Sequence, residues 1–326
     1  MSVRAALPTE LSSVVTFVAA AAGSADGIVS AVLPPPLVRG ALVGWKKLMP
    51  GVLGIGWRVR TYIEQQRGRV RAAALVYRGR RAEWVVLLMA AEHGPEGADA
   101  AFRLLSGVSA LAAQHGMHRV FGAVPDEARA RETFFQAGFY SYTRETWFAR
   151  SGPLDEPTRR LDGRIAGGRD AHDLFRFYAT TTPHAVQRAE QLTVEDFDVG
   201  RRAGAFDPPH IGGNPLAMRR QVLMLLADER RPRAFAIAYR GVERHPHVCK
   251  VRTADGDVDL ARELLRGAAQ DLTPVRPIAV PVRSYEDHIA RALLMEDFSE
   301  VGTAMLFVKE LAVRVEEPAF APAVVR

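Results

Sequence analysis

The chain has 326 residues, of which 48% are hydrophobic and 25% are charged. This composition is typical of an ordered globular protein and excludes a disordered, collagen-like or coiled-coil chain. The single cysteine, Cys249, excludes disulfide scaffolds and multi-thiolate metal sites. The net charge of +6 is modest and the arginines are scattered among acidic residues, so we predict no nucleic-acid partner.

The first predicted element is an amphipathic helix within residues 11–33. Its apolar part, residues 14–22, is shorter than the ~20 residues that a transmembrane helix needs, and Asp26 follows closely. Glu10 stands where a signal peptide would carry basic residues. We therefore predict a cytoplasmic protein that has no membrane span.

The next elements are two similar β-hairpins. Residues 60–79 alternate about a turn at Gly68, and residues 221–241 alternate about a turn at 229–232. Both hairpins end in Tyr-Arg-Gly, and these ends are about 160 residues apart. This spacing is the first indication of an internal repeat.

Each hairpin is followed by the same predicted series: a short strand, a long amphipathic helix, another strand, a short helix and a closing strand. In the first half these are strands 84–90 and 119–124, a helix over 101–112, a short helix from about 126, and a strand after Gly138. In the second half they are strands 248–252 and 277–282, a helix over 261–272, a short helix from about 284, and a strand after Asp297. We predict two domains, at 1–152 and 164–316, with a linker at 153–163 and a tail at 317–326.

The stretch from Ala128 to Phe148 is the most specific part of this series. It reads Arg-Glu-Thr-Phe-Phe-Gln-Ala-Gly138-Phe139 and continues into an aromatic strand, with glycine where a helix ends in the left-handed conformation. This stretch and the order of elements resemble the GNAT superfamily of acyl-CoA-dependent N-acyltransferases. The resemblance implies an α/β fold of the α+β mixed-sheet kind: two GNAT-like domains in tandem, each a central, mostly antiparallel sheet flanked by helices.

The resemblance also implies acetyl-CoA as co-substrate, with its pyrophosphate on backbone amides at the start of the long helix. The loop there, residues 91–99, does not satisfy the family's Gln/Arg-x-x-Gly-x-Gly/Ala pattern in either register. Gly94 and Gly97 permit a phosphate cradle, whereas Glu96 and Asp99 oppose a polyanion. The coenzyme contacts that the resemblance implies are Leu88, Met89, Ala90, Gly94, Gly97, Ala98 and Phe134.

The corresponding loop of the second half is less suited to a coenzyme. It places Asp255, Asp257 and Asp259 where phosphate oxygens would lie. Acidic residues also stabilise the first turn of a helix without any ligand. We therefore predict a possible coenzyme site in the first half and a degenerate second half.

The catalytic residues are harder to assign. The family's usual general-acid tyrosine positions correspond to Phe134 and Leu293, and neither side chain can donate a proton. Tyr140 and Tyr142 are the nearest substitutes, with a purely structural role as the alternative. Glu92 is a candidate base for the acceptor amine, with a solvated strand-end residue as the alternative.

Other candidate sites carry less weight. Strand alternation places His245, His247 and Cys249 on one face, but no carboxylate accompanies them, so we predict no metal. Two hypotheses follow for the whole chain. The first is a GNAT-like N-acyltransferase that transfers an acyl (acetyl) group from acyl-CoA to a small-molecule or peptide amine. The second is a catalytically degenerate tandem GNAT protein that serves as a ligand-binding or structural module.

Overall fold

A computed structural model describes residues 2–22, 28–30, 59–79, 81–126, 128–158, 161, 163–199, 219–228, 231–241, 245–254, 256–270 and 272–312. The predicted tail at 317–326 and Asp255 of the second acidic loop lie outside this part of the chain. Among the described helices, none is both long and apolar enough to cross a membrane.

The described elements follow the predicted series in both halves. The strands are β1 Ser2–Ala5, β2 Ile28–Ser30, β3 Val59–Gln66, β4 Arg69–Arg78, β5 Glu83–Ala91, β6 Arg119–Pro125, β7 Tyr140–Arg150, β8 Gly163–Ile165, β9 Arg219–Asp228, β10 Arg231–Arg240, β11 His247–Thr253, β12 Ile278–Arg283 and β13 Ser299–Glu310. The helices are α1 Leu11–Ala22, α2 Pro95–Gln114, α3 Ala128–Gln136, α4 Ala171–Thr181, α5 His184–Glu190, α6 Val258–Ala269 and α7 Asp287–Met295.

The N-terminal helix is shorter than predicted. It ends at Ala22, and residues 28–30 form strand β2 instead of continuing the helix to residue 33. Gly23 and Gly27 lie between these elements in the sequence, and glycine is the residue that most often follows a helix. The helix therefore ends where the apolar part of the predicted stretch, residues 14–22, ends.

All described strands belong to one continuous mixed sheet. Its order is β1-β3-β4-β5-β6-β13-β7-β12-β11-β10-β9-β8, with β2 paired to β5 outside this path. Only the β5–β6 and β11–β12 pairs are parallel among the described strands. The predicted mixed sheet, mostly antiparallel and flanked by helices, is confirmed.

The closing strands of the two halves are exchanged in the sheet. Strand β13, from the second half, lies between β6 and β7 of the first half, with Met305 opposite Val124. Strand β7 in turn pairs with β12, with Phe148 opposite Val280. Each half therefore contributes a strand to the sheet of the other, which the sequence repeat did not predict.

Helices cover both faces of the sheet. The apolar sides of α2 and α3 bury Leu104, Leu105 and Phe134 against one face of the first half, and α1 buries Val14 and Val18 against the other. In the second half, α6 and α7 cover one face and α4 covers the other, whereas Ala189 of α5 packs in the first-half cluster that contains Val14 and Val18. This layering follows from the helical spacing of apolar residues.

Helix α5 connects the two halves through its last carbonyl groups. Arg81 donates hydrogen bonds to the carbonyl oxygens of Glu190, at 3.0 Å, and Gln191, at 2.5 Å. Arg119 donates to the carbonyl oxygen of Ala189 at 3.1 Å. Cations at a helix C-terminus interact favourably with its unpaired carbonyls, so these arginines of the first half stabilise a helix of the second.

Candidate functional site

The first half contains a gap between two parallel strands. β5 pairs with β6 only from Glu83 to Val86, and the last pair is Val86 with Gly122. On its other edge, β5 shifts register against β4 around Leu87, which is a β-bulge. Because a bulge bends its strand, the two parallel strands diverge here. We call the gap between residues 87–91 of β5 and residues 123–125 of β6 the first wedge.

The predicted coenzyme contacts on β5 line this first wedge. Leu88, Met89 and Ala90 are all buried. Their edge that faces the wedge pairs with β2 in antiparallel register: Ser30 is opposite Leu88, Val29 opposite Met89, and Ile28 opposite Ala90. Strand β2 also contacts β6. The first wedge is therefore occupied by a strand of the chain itself.

The predicted glycine loop follows β5 and leads into α2. Gly94 has a φ of 84° and precedes the helix, and the amide of Ala98 donates to its carbonyl at 3.1 Å. Gly97 is buried, and a Cβ at this position would lie 1.6 Å from the carbonyl oxygen of Glu92. Only glycine fits at residue 97, because the loop folds back on the end of β5.

Glu92, the candidate base, is held by two arginines of β4. It forms an ion pair with Arg71, and its Oε1 lies 3.2 Å from Arg69 Nε. Arg71 also pairs with Glu96 at 3.2 Å. Both carboxylate oxygens of Glu92 thus face guanidinium groups, which favours a positioning role for it in the loop. Its role as a base stays a prediction.

Arg69 and Arg71 are residues that sequence reasoning missed. They belong to β4, and the antiparallel register of β4 against β5 brings Arg71 alongside Glu92, whose amide donates to the Arg71 carbonyl at 3.0 Å. The Arg69 side chain is 74% exposed beside the loop. The alternation of β4 indicates that Arg69 and Arg71 share a strand, but it does not indicate that this end of the strand lies beside α2.

Phe134 lies in the core on the α3 side of the sheet. Its ring is fully buried, with ring centroids 5.0 Å from Phe139 and 5.4 Å from Phe307. A Cβ on Gly122 would lie 2.6 Å from Phe134 Cε1, so the ring occupies the space above this glycine. Leu293, the equivalent position in the second half, is also buried. Neither position offers a proton donor.

Tyr140 and Tyr142 are separated from the first wedge by β13. Tyr140 is opposite Val308, which is itself opposite Phe121 of β6. Two strand spacings, about 10 Å, therefore lie between β7 and β6. The Tyr142 ring nevertheless reaches the core cluster that contains Leu88 and Ala123, and the catalytic roles of both tyrosines stay predictions.

The two tyrosines have different surroundings. Tyr140 is 41% exposed and donates to Glu310 Oε1 at 3.1 Å; partial burial and this bond raise its pKa. Tyr142 lies beside Arg283, with its ring centroid 6.4 Å from that of Phe121. Burial raises the pKa of Tyr142 well above its usual range, although Arg283 opposes the shift. A hydroxyl with a raised pKa is a weaker proton donor.

The second half has a corresponding gap, the second wedge, between residues 249–253 of β11 and residues 280–283 of β12. The parallel pairing there is limited to His247 with Ile278 and Val248 with Ala279. Arg252 of β11 forms an ion pair with Glu286, just beyond β12, and its Nη1 donates to the Tyr285 hydroxyl at 3.0 Å. These side chains bridge the two strands where they diverge.

The acidic loop of the second half has a structural explanation. Asp257 caps α6, because its Oδ1 accepts the amide of Leu260 at 2.9 Å. Asp259 lies in the first turn of α6 and pairs with Arg262 at 3.4 Å. Capping and first-turn carboxylates stabilise a helix N-terminus without a ligand.

The two candidate histidines, His245 and His247, are both buried. His247 Nδ1 accepts the amide of Gly241 at 3.0 Å, so its Nε2 donates to the carbonyl of Pro274 at 2.9 Å. Cys249 is fully buried, and burial raises its pKa to about 12. Within the described part of the chain, no three His, Cys, Asp or Glu side chains are placed to share a metal ion.

Comparison with solved structures shows which fold this is. A GCN5-related N-acetyltransferase from Sphaerobacter thermophilus superimposes with a TM-score of 0.57 and 13% identity, covering 95% of each chain. A tandem GNAT protein from the clavulanic acid biosynthesis pathway superimposes with a TM-score of 0.53 and 10% identity, covering 95% of this chain and 98% of that chain. The chain has a tandem GNAT fold. No family model and no curated protein matches the sequence.

The tandem GNAT fold confirms the resemblance found in the sequence. At these identities the likeness establishes the fold alone, so the activity has to be argued from the site. The relevant features of this GNAT-fold chain are the divergence of β5 and β6 after Val86, and the glycine loop that opens α2.

Proposed function

We propose that this GNAT-fold chain is an N-acyltransferase that holds acyl-CoA in its first half and transfers the acyl group to an amine. The observation that carries the proposal is the first wedge, which opens beside the glycine loop and the N-terminus of α2. A strand edge next to a helix N-terminus offers amide groups to an extended chain and to its phosphates in the same place.

The residues at the first wedge fit an acyl-CoA. Space is open at Gly94, where an added Cβ would meet no atom within 4 Å. Two acidic residues of the loop, Glu92 and Glu96, are offset by Arg71, which pairs with both. The exposed guanidinium of Arg69 is available to a phosphate group.

Different groups of the chain would bind different parts of the coenzyme. The backbone edge of residues 88–90 orients the extended arm of the coenzyme, and the amides at the start of α2 with Arg69 hold the phosphates. The bound coenzyme supplies a thioester carbonyl that a neutral amine can attack. The acceptor is a small-molecule or peptide amine.

The second half serves a structural role in this proposal. Its second wedge is bridged by Arg252 and Glu286, and burial raises the pKa of Glu286 while Arg252 opposes that shift. Opening this ion pair is costly, since Glu286 is buried and would be left as an unpaired buried charge. Coenzyme binding is therefore expected at one site per chain.

Calorimetry with acetyl-CoA tests the proposal. We expect one site per chain and several-fold weaker binding in Arg69→Ala. Arg169→Ala is the matched control, because Arg169 is an exposed arginine of the second half and should leave the affinity unchanged. Absence of binding at millimolar acetyl-CoA, even with strand β2 disrupted by proline, would overturn the proposal. Transfer is then measured as free thiol released in the presence of a panel of amines.

A second candidate function is a ligand-binding module without catalysis. It is favoured by the buried, apolar residues at the usual general-acid positions, Phe134 and Leu293. General acid catalysis typically contributes ~10²–10⁴-fold to a rate, so its absence weakens turnover more than binding. Stoichiometric binding of acetyl-CoA with no thiol release from any amine in the panel would support this second function.

A further inference from the structure

Strand β2 lies where an acyl-CoA would have to pair. Its three residues, Ile28 to Ser30, run antiparallel to residues 88–90 of β5 and also contact β6. The opposite edge of those β5 residues is already paired with β4, where Ala74 is opposite Met89. The first wedge thus offers one free backbone edge, and β2 occupies it.

The backbone amide and carbonyl groups along this edge of β5 need hydrogen-bond partners. Leu88, Met89 and Ala90 are buried, and a buried backbone amide or carbonyl without a hydrogen bond is costly. Strand β6 cannot supply the bonds, because its pairing with β5 ends at Val86. Any group that replaces β2 must itself be extended and carry amide donors and acceptors.

Strand β2 is short but held close to the wedge. It contains three residues, so few hydrogen bonds have to break for it to leave. Helix α1, which contacts β2 and β5, buries Val14 and Val18 in the core and ends at Ala22. A segment joined by a short linker to an anchored helix has a local concentration in the millimolar range.

We propose that β2 is an intramolecular competitor of the coenzyme: it fills the first wedge in the free protein and leaves when acyl-CoA binds. This inference rests on the proposed function. Binding of the coenzyme is then weakened by the fraction of time that β2 spends in the wedge. The coenzyme can form hydrogen bonds with the backbone of residues 88–90 only when β2 has left that edge.

The first test removes the ability of β2 to pair. Adjacent residues of a strand point their amides to opposite sides, so the double substitution Ile28→Pro with Val29→Pro removes at least one of the donors that face β5, whichever residues hold them. We expect acetyl-CoA to bind about tenfold more tightly if β2 fills the wedge ~90% of the time. The control is Ile28→Thr with Val29→Thr, which keeps both amides and should bind like the unmodified chain.

The second test locks β2 in place and covers the case in which the proline variant does not fold. Paired residues of antiparallel strands have Cα atoms about 4.5–5.5 Å apart, which suits a disulfide. Val29 and Met89 form such a pair, so Val29→Cys with Met89→Cys allows a cross-link. The oxidised form should lose acetyl-CoA binding and the reduced form of the same chain should recover it.

The outcomes separate the two proposals. Tighter binding by the proline variant, or loss on oxidation, supports competition by β2. Equal affinity of the proline variant, the threonine control and the unmodified chain, or equal binding by the oxidised and reduced forms, overturns competition while leaving the proposed function intact. Absence of binding by every variant overturns both.

Discussion

Arg283 of β12 and Glu145 of β7 stand directly opposite each other in the sheet, and Arg283 Nε lies 2.8 Å from Glu145 Oε2. Both side chains are buried, and Glu190 of α5 lies 3.7 Å from the same guanidinium. Burial by itself would lower the pKa of Arg283, but Glu145 and Glu190 outweigh it and raise that pKa. The guanidinium therefore stays charged at the place where the two halves meet.

Breaking this ion pair should destabilise the whole chain. We expect Arg283→Met or Glu145→Gln to lower the free energy of unfolding by about 3–5 kcal/mol, because the first leaves two buried carboxylates without their shared cation and the second removes the nearer carboxylate from a buried guanidinium. The double substitution Arg283→Met with Glu145→Met should cost less than the sum of the two single losses. Urea unfolding followed by circular dichroism measures all of these. Single losses below about 0.5 kcal/mol would show that the pair does not hold the halves together.

His247 should make stability depend on pH. Burial lowers its pKa below the usual 6.5, and its Nδ1 has to remain unprotonated to accept the Gly241 amide. Below pH 6.5 the unfolded chain therefore binds more protons than the folded chain, so stability falls as the pH decreases through that value. Urea midpoints between about pH 5 and about pH 7.5 should show this loss, and His247→Gln should reduce it. Identical pH profiles for both proteins would contradict this assignment.

Gly97 should tolerate no side chain. Gly97→Ala places a Cβ 1.6 Å from the Glu92 carbonyl oxygen, so the loop or the end of β5 has to move. Gly116→Ala is the matched control, since Gly116 has a φ of 70° but no atom within 4 Å of an added Cβ. We expect the control to lose about 1 kcal/mol from its unfavourable backbone conformation and Gly97→Ala to lose more than about 3 kcal/mol. Thermal unfolding of both variants compares them, and equal losses would contradict the close approach.

Gly122 and Phe134 should be coupled. Gly122→Ala brings a Cβ within 2.6 Å of Phe134 Cε1, and overpacking of a close-packed core typically costs ~1–3 kcal/mol. Adding Phe134→Leu should recover part of this loss, although Phe134→Leu alone is destabilising because it leaves a cavity. A double-mutant cycle by urea unfolding measures the coupling. Additive losses would place the two residues out of contact.

Local patterns in the sequence were sufficient for most of the secondary structure. The hairpin about Gly68 is present, with positive φ values of 50° at Arg67 and 79° at Gly68, which a two-residue turn of this kind requires. Gly138 has a φ of 81° and ends α3, as its position after an aromatic helical stretch predicted. These features depend on backbone sterics within a few residues, so they can be recognised one segment at a time.

The candidate site was predictable only in part. Residues 88–90 and Gly94 were predicted, and they do meet at the first wedge and the start of α2. The partners of Glu92, which are Arg69 and Arg71, were not found, because the register of β4 against β5 that brings them there joins residues about 20 positions apart. The insertion of β13 between the β7 tyrosines and β6 was not predicted either, although the Tyr142 ring still reaches Phe121 of β6.

The sequence by itself determined the repeated series of elements, because amphipathic spacing and turn residues act over short distances. Only the tertiary structure decided the order of strands, since sheet pairing depends on which edges remain free after the whole chain has collapsed. The exchange of β7 and β13, and the pairing of β2 with residues 88–90, are results of that competition for edges. The three residues of β2 carry no periodic pattern, yet they occupy the position on which the proposed activity depends.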